Sequence, residues 1–127
     1  VLATLYYVAR RDYEIDLTHR AIRVLQFVGY REKPPRLDDV ANFLNCAPST
    51  ASELMKRLQK KELLIRNRSS ADERVIEIKL TEFGKTALVE HTSLDPGKLK
   101  AGLETLEGPE QEALIRTLDR IVESIDR

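Results

Sequence analysis

Two short stretches hold side chains of the kinds that bind anions and read hydrogen-bonding edges. In the first, Ser49, Thr50, Ser52, Glu53, Lys56 and Arg57 remain outside when Ala47, Ala51, Leu54, Met55 and Leu58 are assigned to one helical face. Short hydroxyls near the start and cations further along suit a helix that lies in a major groove and bonds base edges and phosphates. In the second, Arg66, Arg68 and Arg74 surround a polar, flexible tip that also holds Asn67, Ser69 and Ser70. A finger of that composition is suited to tracking a phosphate backbone or placing an arginine in a narrow minor groove. Asp72 stands two residues before Arg74, close enough to orient its guanidinium by a charge-assisted contact. Without a ligand, the first stretch is an ordinary amphipathic helix, and the Asp72 and Arg74 pair is a surface ion pair worth little.

The whole chain sets limits on these stretches. Its 127 residues, 42% hydrophobic and 33% charged, fit one domain able to bury most of its apolar surface. Twenty-one basic side chains balance twenty-one acidic ones, which argues against both an acidic disordered tail and a uniformly basic coat. The balance is uneven along the chain: residues 1–46 net +1, residues 47–80 net +3 and residues 81–127 net −4. A basic middle and an acidic last third place any anion partner at the centre. The longest apolar runs, such as Leu63-Leu64-Ile65, are far short of the roughly 20 residues that cross a bilayer. One cysteine excludes an internal disulfide, and with two histidines it cannot complete a structural zinc site unaided. The plain reading is a cytoplasmic protein. The chain starts at Val1 without a methionine, so the first helix is read as interrupted at its start.

The elements that must position the two stretches follow from periodicity and caps. Leu2, Leu5, Tyr6, Ala9 and Tyr13 fall at helical spacing and predict a first helix over 2–13. Thr18 caps a second helix with Ala21, Val24, Leu25 and Val28 on one face, ended by Gly29 in the manner of a C-terminal glycine. The segment from Tyr30 to Arg36 is a loop, because Pro34-Pro35 cannot sit inside a helix. A short helix over 37–44 carries Asp38 and Asp39 in its first turn, favourable against the helix dipole. Asn45-Cys46-Ala47 is a tight connection, and Pro48 suits the first position of a helix that reaches Lys60. Leu63-Leu64-Ile65 begins one strand, and the alternation in 75–80 places Ile76, Ile78 and Leu80 on one face of another. Thr81 caps a helix to His91, Ser93-Leu94-Asp95-Pro96 interrupts it, and a short helix restarts at Pro96 with Leu99, Leu103 and Leu106. After Gly108-Pro109 the last helix shows a stripe of Leu114, Leu118, Ile121, Val122 and Ile125. The fold class is mainly α with a small β-hairpin wing, a winged helix-turn-helix flanked by terminal helices.

At this point the chain from Leu17 to Leu88 resembles the MarR family of winged-helix transcription regulators. Asp72-Glu73-Arg74 resembles that family's Asp-x-Arg wing motif, and Leu80-Thr81-Glu82-Phe83-Gly84 resembles its Leu-Thr-x-x-Gly helix start. The segment from Val40 to Ser52 is similar to its helix-turn-helix. Glu62 stands where the family usually has glycine, Arg36 where a Ser or Thr would cap, and the break at 93–96 falls in a helix that is usually unbroken. The resemblance implies one domain over 1–127, with a winged core at 18–90 and dimerisation helices at 1–16 and 96–127. It further implies a homodimer that reads a palindromic duplex and releases it when a small molecule or oxidant binds. The expected DNA contacts are Ser49, Thr50, Ser52, Lys56, Arg57, Arg66, Arg68, Asp72 and Arg74.

Cys46 occupies the turn position of a small apolar residue and is read as core, with a redox sensor as the sharper alternative. Tyr6, Tyr7, Tyr13, Phe27 and Tyr30 cluster in the first two helices and their loop. Tyr6, Tyr13, Phe27 and Tyr30 are the candidates for binding a small aromatic effector, against plain aromatic packing. His19 and His91 lack partners at a metal spacing, and no phosphate loop or nucleophile motif occurs, so neither metal, cofactor nor catalysis is expected. The last helix carries too much apolar surface to stand alone, which predicts a second copy or packing on the first helix. Against a DNA-binding regulator stands a winged-helix protein-interaction module, consistent with zero net charge but with no need for three arginines around the wing.

Overall fold

The computed structural model describes residues 1–12 and 16–126. In chain order the elements are α1 (Leu2–Ala9), α2 (His19–Gly29), α3 (Leu37–Leu44), α4 (Pro48–Lys60), β1 (Leu64–Arg68), β2 (Ile76–Leu80), α5 (Glu82–Thr92), α6 (Pro96–Leu103) and α7 (Gly108–Ile125). The mainly α fold with a two-stranded wing is the expected one. The chain divides into two compact units, Arg11–Ser93 and a terminal unit of Val1–Arg10 with Leu94–Arg127.

The winged unit closes around one apolar cluster. Val24 and Leu25 of α2, Val40 of α3, Met55 and Leu58 of α4, Leu63 of the turn after α4, Leu64 and Ile78 of the hairpin, and Ala87 and Leu88 of α5 are all buried. Each large side chain fully removed from water contributes about 1.5–3 kcal/mol. The antiparallel hairpin pairs Leu64 with Leu80 and Arg68 with Ile76, which turns Ile78 inward. Its second strand is also held from the other side. The Ile78 N–H donates to the Pro35 carbonyl at 2.9 Å, and Arg36 bridges Glu77, so the Pro34-Pro35 segment becomes a fragment of sheet edge.

Helix ends explain two of the departures from the family pattern. α3 begins without a side-chain cap from Arg36; the Asp39 carboxylate instead accepts the Arg36 N–H at 2.9 Å, giving the first turn its acceptor from within the helix. α4 ends in a Schellman arrangement: Leu63 N–H donates to Leu58 O at 3.0 Å and Glu62 N–H to Gln59 O at 2.9 Å. That geometry puts Glu62 at φ 63°, the left-handed region where glycine is preferred. α3 ends in the same way, with Asn45 at φ 52°, and asparagine tolerates the conformation better.

Thr81 and Gly84 anchor α5. The Thr81 hydroxyl donates to Glu62 O at 2.6 Å and accepts from Gly84 N at 2.9 Å. A Cβ on Gly84 would stand 1.9 Å from the Leu63 carbonyl oxygen, so only glycine lets α5 approach the backbone that leaves α4.

Four local expectations are corrected. α1 stops at Ala9 rather than Tyr13: Arg10 turns extended and bridges Leu94, and Asp95 N–H donates to Ala9 O at 2.7 Å. Tyr13 itself lies outside the described residues. Gly29 is the last residue of α2 and has no positive φ; its service is to packing, because a Cβ there would meet Leu88 and Leu80 at 2.7 and 3.0 Å. Ala47 is exposed as the residue that precedes α4, and the core face of that helix begins at Ala51. Cys46 is half-buried rather than core, because it follows the left-handed turn at Asn45.

In the terminal unit, Asp95 caps α6 by accepting from Gly97 N and Lys98 N at 2.9 and 3.0 Å. α7 has no buried residue, and Leu114, Leu118, Ile121, Val122 and Ile125 are all exposed. Among the described residues, no helix is long and apolar enough to cross a membrane.

Candidate nucleic-acid interface

The turn between α3 and α4 presents α4 by its outer side. Pro48 starts the helix, and Ala51, Leu54, Met55 and Leu58 fix it to the core. What remains outside is Ser49, Thr50, Glu53, Lys56 and Arg57, all exposed, with Ser52 half-buried at the edge. Arg57 and Lys60 lie in the last turn, where the helix dipole favours cations.

The wing holds its arginines with internal contacts. Arg66 Nε donates to Gln59 Oε1 of α4 at 2.7 Å. Arg68 Nη1 donates to the Glu73 carbonyl at 2.8 Å, across the tip. Arg74 grips Asp72 with Nε and Nη2 at 3.1 and 3.2 Å, and its own backbone N–H donates to the same carboxylate at 3.1 Å. The Arg74 side chain remains largely in solvent. Its side-chain hydrogen bonds hold the Asp72 carboxyl below the ordinary aspartate range, with the Arg74 N–H and then the charge of Arg36 adding to the effect. The tip expected as flexible carries its own bonding. Ser69 is buried, its N–H reaches Val75 O at 2.8 Å, and its hydroxyl accepts from Ala71 N at 3.2 Å.

A cavity of about 170 Å³ lies between the start of α3 and the wing, lined by Arg36, Leu37, Asp38, Arg74, Val75 and Ile76. The fold thus places α4 and the hairpin in one unit and brings Asp72 to Arg74. Gln59 and Arg36 escaped the reading of spacing. Nothing local marks an exposed glutamine seven residues before an arginine as its acceptor, and the approach of Arg36 to Glu77 is made by tertiary pairing alone.

Of the four aromatic candidates, Tyr13 lies outside the described residues, and the other three are described each within its own unit. Phe27 stacks on Phe43 with ring centroids 4.4 Å apart, between Arg31 over Phe27 at 4.8 Å and Arg23 over Phe43 at 5.1 Å. Tyr30 is 70% exposed with its hydroxyl 3.5 Å from that of Thr92, and Tyr6 is exposed in the terminal unit. Phe43 is the aromatic residue that residue spacing offers no reason to couple to Phe27.

Residues 6–90 match the family model described as transcriptional regulator SarA/Rot. The HTH-type transcriptional regulator SarZ of Staphylococcus aureus is 35% identical over 72 residues, 57% of this chain and 48% of that protein. The chain therefore spans about half the length of the curated relatives it matches. Among solved structures, the transcriptional regulator Tm0710 of Thermotoga maritima aligns with a TM-score of 0.65 at 22% identity, over 87% of this chain and 77% of that one. A mutant of S. aureus MepR bound to an oligodeoxyribonucleotide aligns with a TM-score of 0.59 at 23% identity, over 87% and 80%. At such identities the structural likeness establishes the fold alone.

Proposed function

Because the chain belongs to the SarA/Rot family of transcriptional regulators and has the fold of a MarR-type winged helix, we propose that it binds double-stranded DNA sequence-specifically and represses transcription. The observation that carries this reading is the outer face of α4. With its apolar side fixed to the core, it offers hydroxyls at one end and cations at the other, beside a wing that carries Arg66, Arg68 and Arg74. Ser49, Thr50, Ser52 and Arg57 contact bases or phosphates in the major groove, and Lys56 contacts a phosphate. Arg66 and Arg68 follow the backbone, and Arg74, oriented by Asp72, enters or borders the minor groove. A mutant of MepR has been seen on an oligodeoxyribonucleotide, which supports the same ligand for this chain.

The working form is a cytoplasmic homodimer on a palindromic site. Residues 18–90 act as the winged core, and 1–16 with 96–127 act as dimerisation helices. Support comes from the exposed stripe of α7 and from Leu2, Leu5 and Val8 of α1, which are exposed as well. A small aromatic effector, with Tyr6, Tyr13, Phe27 and Tyr30 as its candidate contacts, releases the DNA. A thermal-shift screen over phenols and lipids tests the effector; no shift across the panel removes it.

The deciding experiment incubates the chain with genomic duplex fragments at about 50 and 200 mM salt, for wild type and Arg74→Ala. Enrichment of a palindrome that persists at the higher salt and weakens in the variant is the expected result. Salt-sensitive binding without enrichment, or no binding, favours a winged-helix module whose partner is a protein.

A further inference from the structure

Gln59 is uncharged and exposed on the last turn of α4, yet its side-chain oxygen receives the Arg66 Nε–H at 2.7 Å. This is a side-chain bond between the helix and the first wing strand. Gln59 follows Ser49, Ser52 and Lys56 at intervals of three and four residues, so all four share one edge of α4. Arg66 extends that edge onto β1. The strand is fixed in turn by its pairing of Arg66 with Ile78, which is fully buried.

The stereochemistry of the contact matters more than its strength. An arginine has five N–H donors in a planar fork. Giving Nε–H to a neutral amide oxygen leaves the two terminal nitrogens free, with the full positive charge intact. A carboxylate at position 59 would partly neutralise that charge, as Asp72 does for Arg74. The amide thus aims the guanidinium without discharging it.

We propose that Gln59 is a positioning residue, which holds the terminal nitrogens of Arg66 toward one backbone phosphate beside the groove entered by α4. The inference rests on the DNA-binding reading above and deepens it: the neutral Gln59 sets how many phosphates the protein engages.

The test measures affinity for a mixed-sequence duplex of about 30 base pairs as salt is varied, because one phosphate contact adds about 0.9 to the slope of log K against log salt. Arg66→Gln is expected to lower the slope by about that amount. Gln59→Leu, which changes no charge, is expected to lower it similarly and to weaken binding on the order of fivefold to tenfold near 0.1 M salt. The double variant is expected to lose no more than either single one, since the two residues make one contact. Gln59→Met serves as a second neutral variant, and an unchanged melting midpoint in either shows that the fold is intact. If Gln59→Leu and Gln59→Met keep the wild-type slope while Arg66→Gln loses it, Arg66 positions itself and the inference is overturned. If Arg66→Gln also keeps the slope, no phosphate meets Arg66 and the inference is again overturned, with DNA binding still standing. If the wild-type chain binds no duplex, the DNA reading itself fails and takes this inference with it.

Discussion

Both units of the chain carry amphipathic helices, but only the winged unit closes around its own apolar faces. Val24, Leu25, Val40, Met55, Leu63, Leu64 and Ile78 are at most 1% exposed there. In the terminal unit Ala9 is the buried hydrophobic residue among those described, and α7 leaves Ile121 49% and Val122 63% exposed. A helix with that much uncovered apolar surface gains little stability from its own chain. The difference separates two kinds of apolar pattern in the sequence: the winged unit covers its own apolar faces, while the stripe of α7 is left exposed.

The largest expected effect strikes the first side of this contrast. Gly84→Ala drives a methyl into the Leu63 carbonyl, which is backbone and cannot swing aside. The expected loss is about 3 kcal/mol, at the upper end for overpacking, because α5 must lift from the turn after α4. Chemical denaturation measures it; a loss below about 1 kcal/mol would show that the approach of α5 to Leu63 is not a fixed part of the unit.

The next effect strikes the other side. Ile121→Asp puts a charge in the exposed stripe of α7. It is expected to leave the denaturation of the winged unit unchanged while weakening self-association by about 2 kcal/mol, roughly thirtyfold in Kd. Sedimentation across a concentration series reads this directly. A wild-type chain that stays monomeric at micromolar concentration would mean that the stripe serves some partner other than a second copy.

How far these contrasts could be read from residues alone depends on where the determinants lie. The ends of α3 and α4 were legible because Pro48, the acidic first turn of α3 and the apolar stripe are local signals. The end of α1 was not, because it is set by the bridge of Arg10 to Leu94 and the bond from Asp95 N–H to Ala9 O, across a long stretch of chain. Gly29 has the position of a helix terminator, whereas its lack of a side chain makes room for Leu88 and Leu80. Of the candidate interface, the outer face of α4 and the Asp72 and Arg74 pair follow from short spacing. The Gln59 and Arg66 contact and the approach of Arg36 to the wing arise only when the hairpin folds back on the helices.

A smaller effect sharpens the contrast within the winged unit by comparing its two left-handed residues. Asn45 and Glu62 end α3 and α4 with nearly the same backbone, but only asparagine is at ease there. Glu62→Gly relieves a strain of about 1–2 kcal/mol, partly offset by the greater freedom glycine gives the unfolded chain. The net expectation is a gain of about 0.5–1 kcal/mol, read as a raised denaturation midpoint, whereas Asn45→Gly should change little. Equal effects at the two sites would sink the claim that Glu62 is strained.

The smallest effect is electrostatic and belongs to the wing. Asp72 has its carboxyl lowered chiefly by the side-chain bonds from Arg74, so it ionises more readily in the folded chain than in the unfolded one. Between the two values the unfolded chain binds more protons, and stability rises with pH across that window. The contribution is therefore fully present above the ordinary aspartate range and is lost as pH falls through the lowered folded value. Because the pair is exposed, the change in stability should be slight, and a carboxyl-detected NMR titration is the more sensitive measurement. Arg74→Ala should move the Asp72 midpoint up toward the ordinary range, while Arg36→Ala, removing a weaker and more distant charge, should move it less. If the two variants shift Asp72 equally, the carboxylate is shared between both arginines, and its role in aiming Arg74 alone is lost.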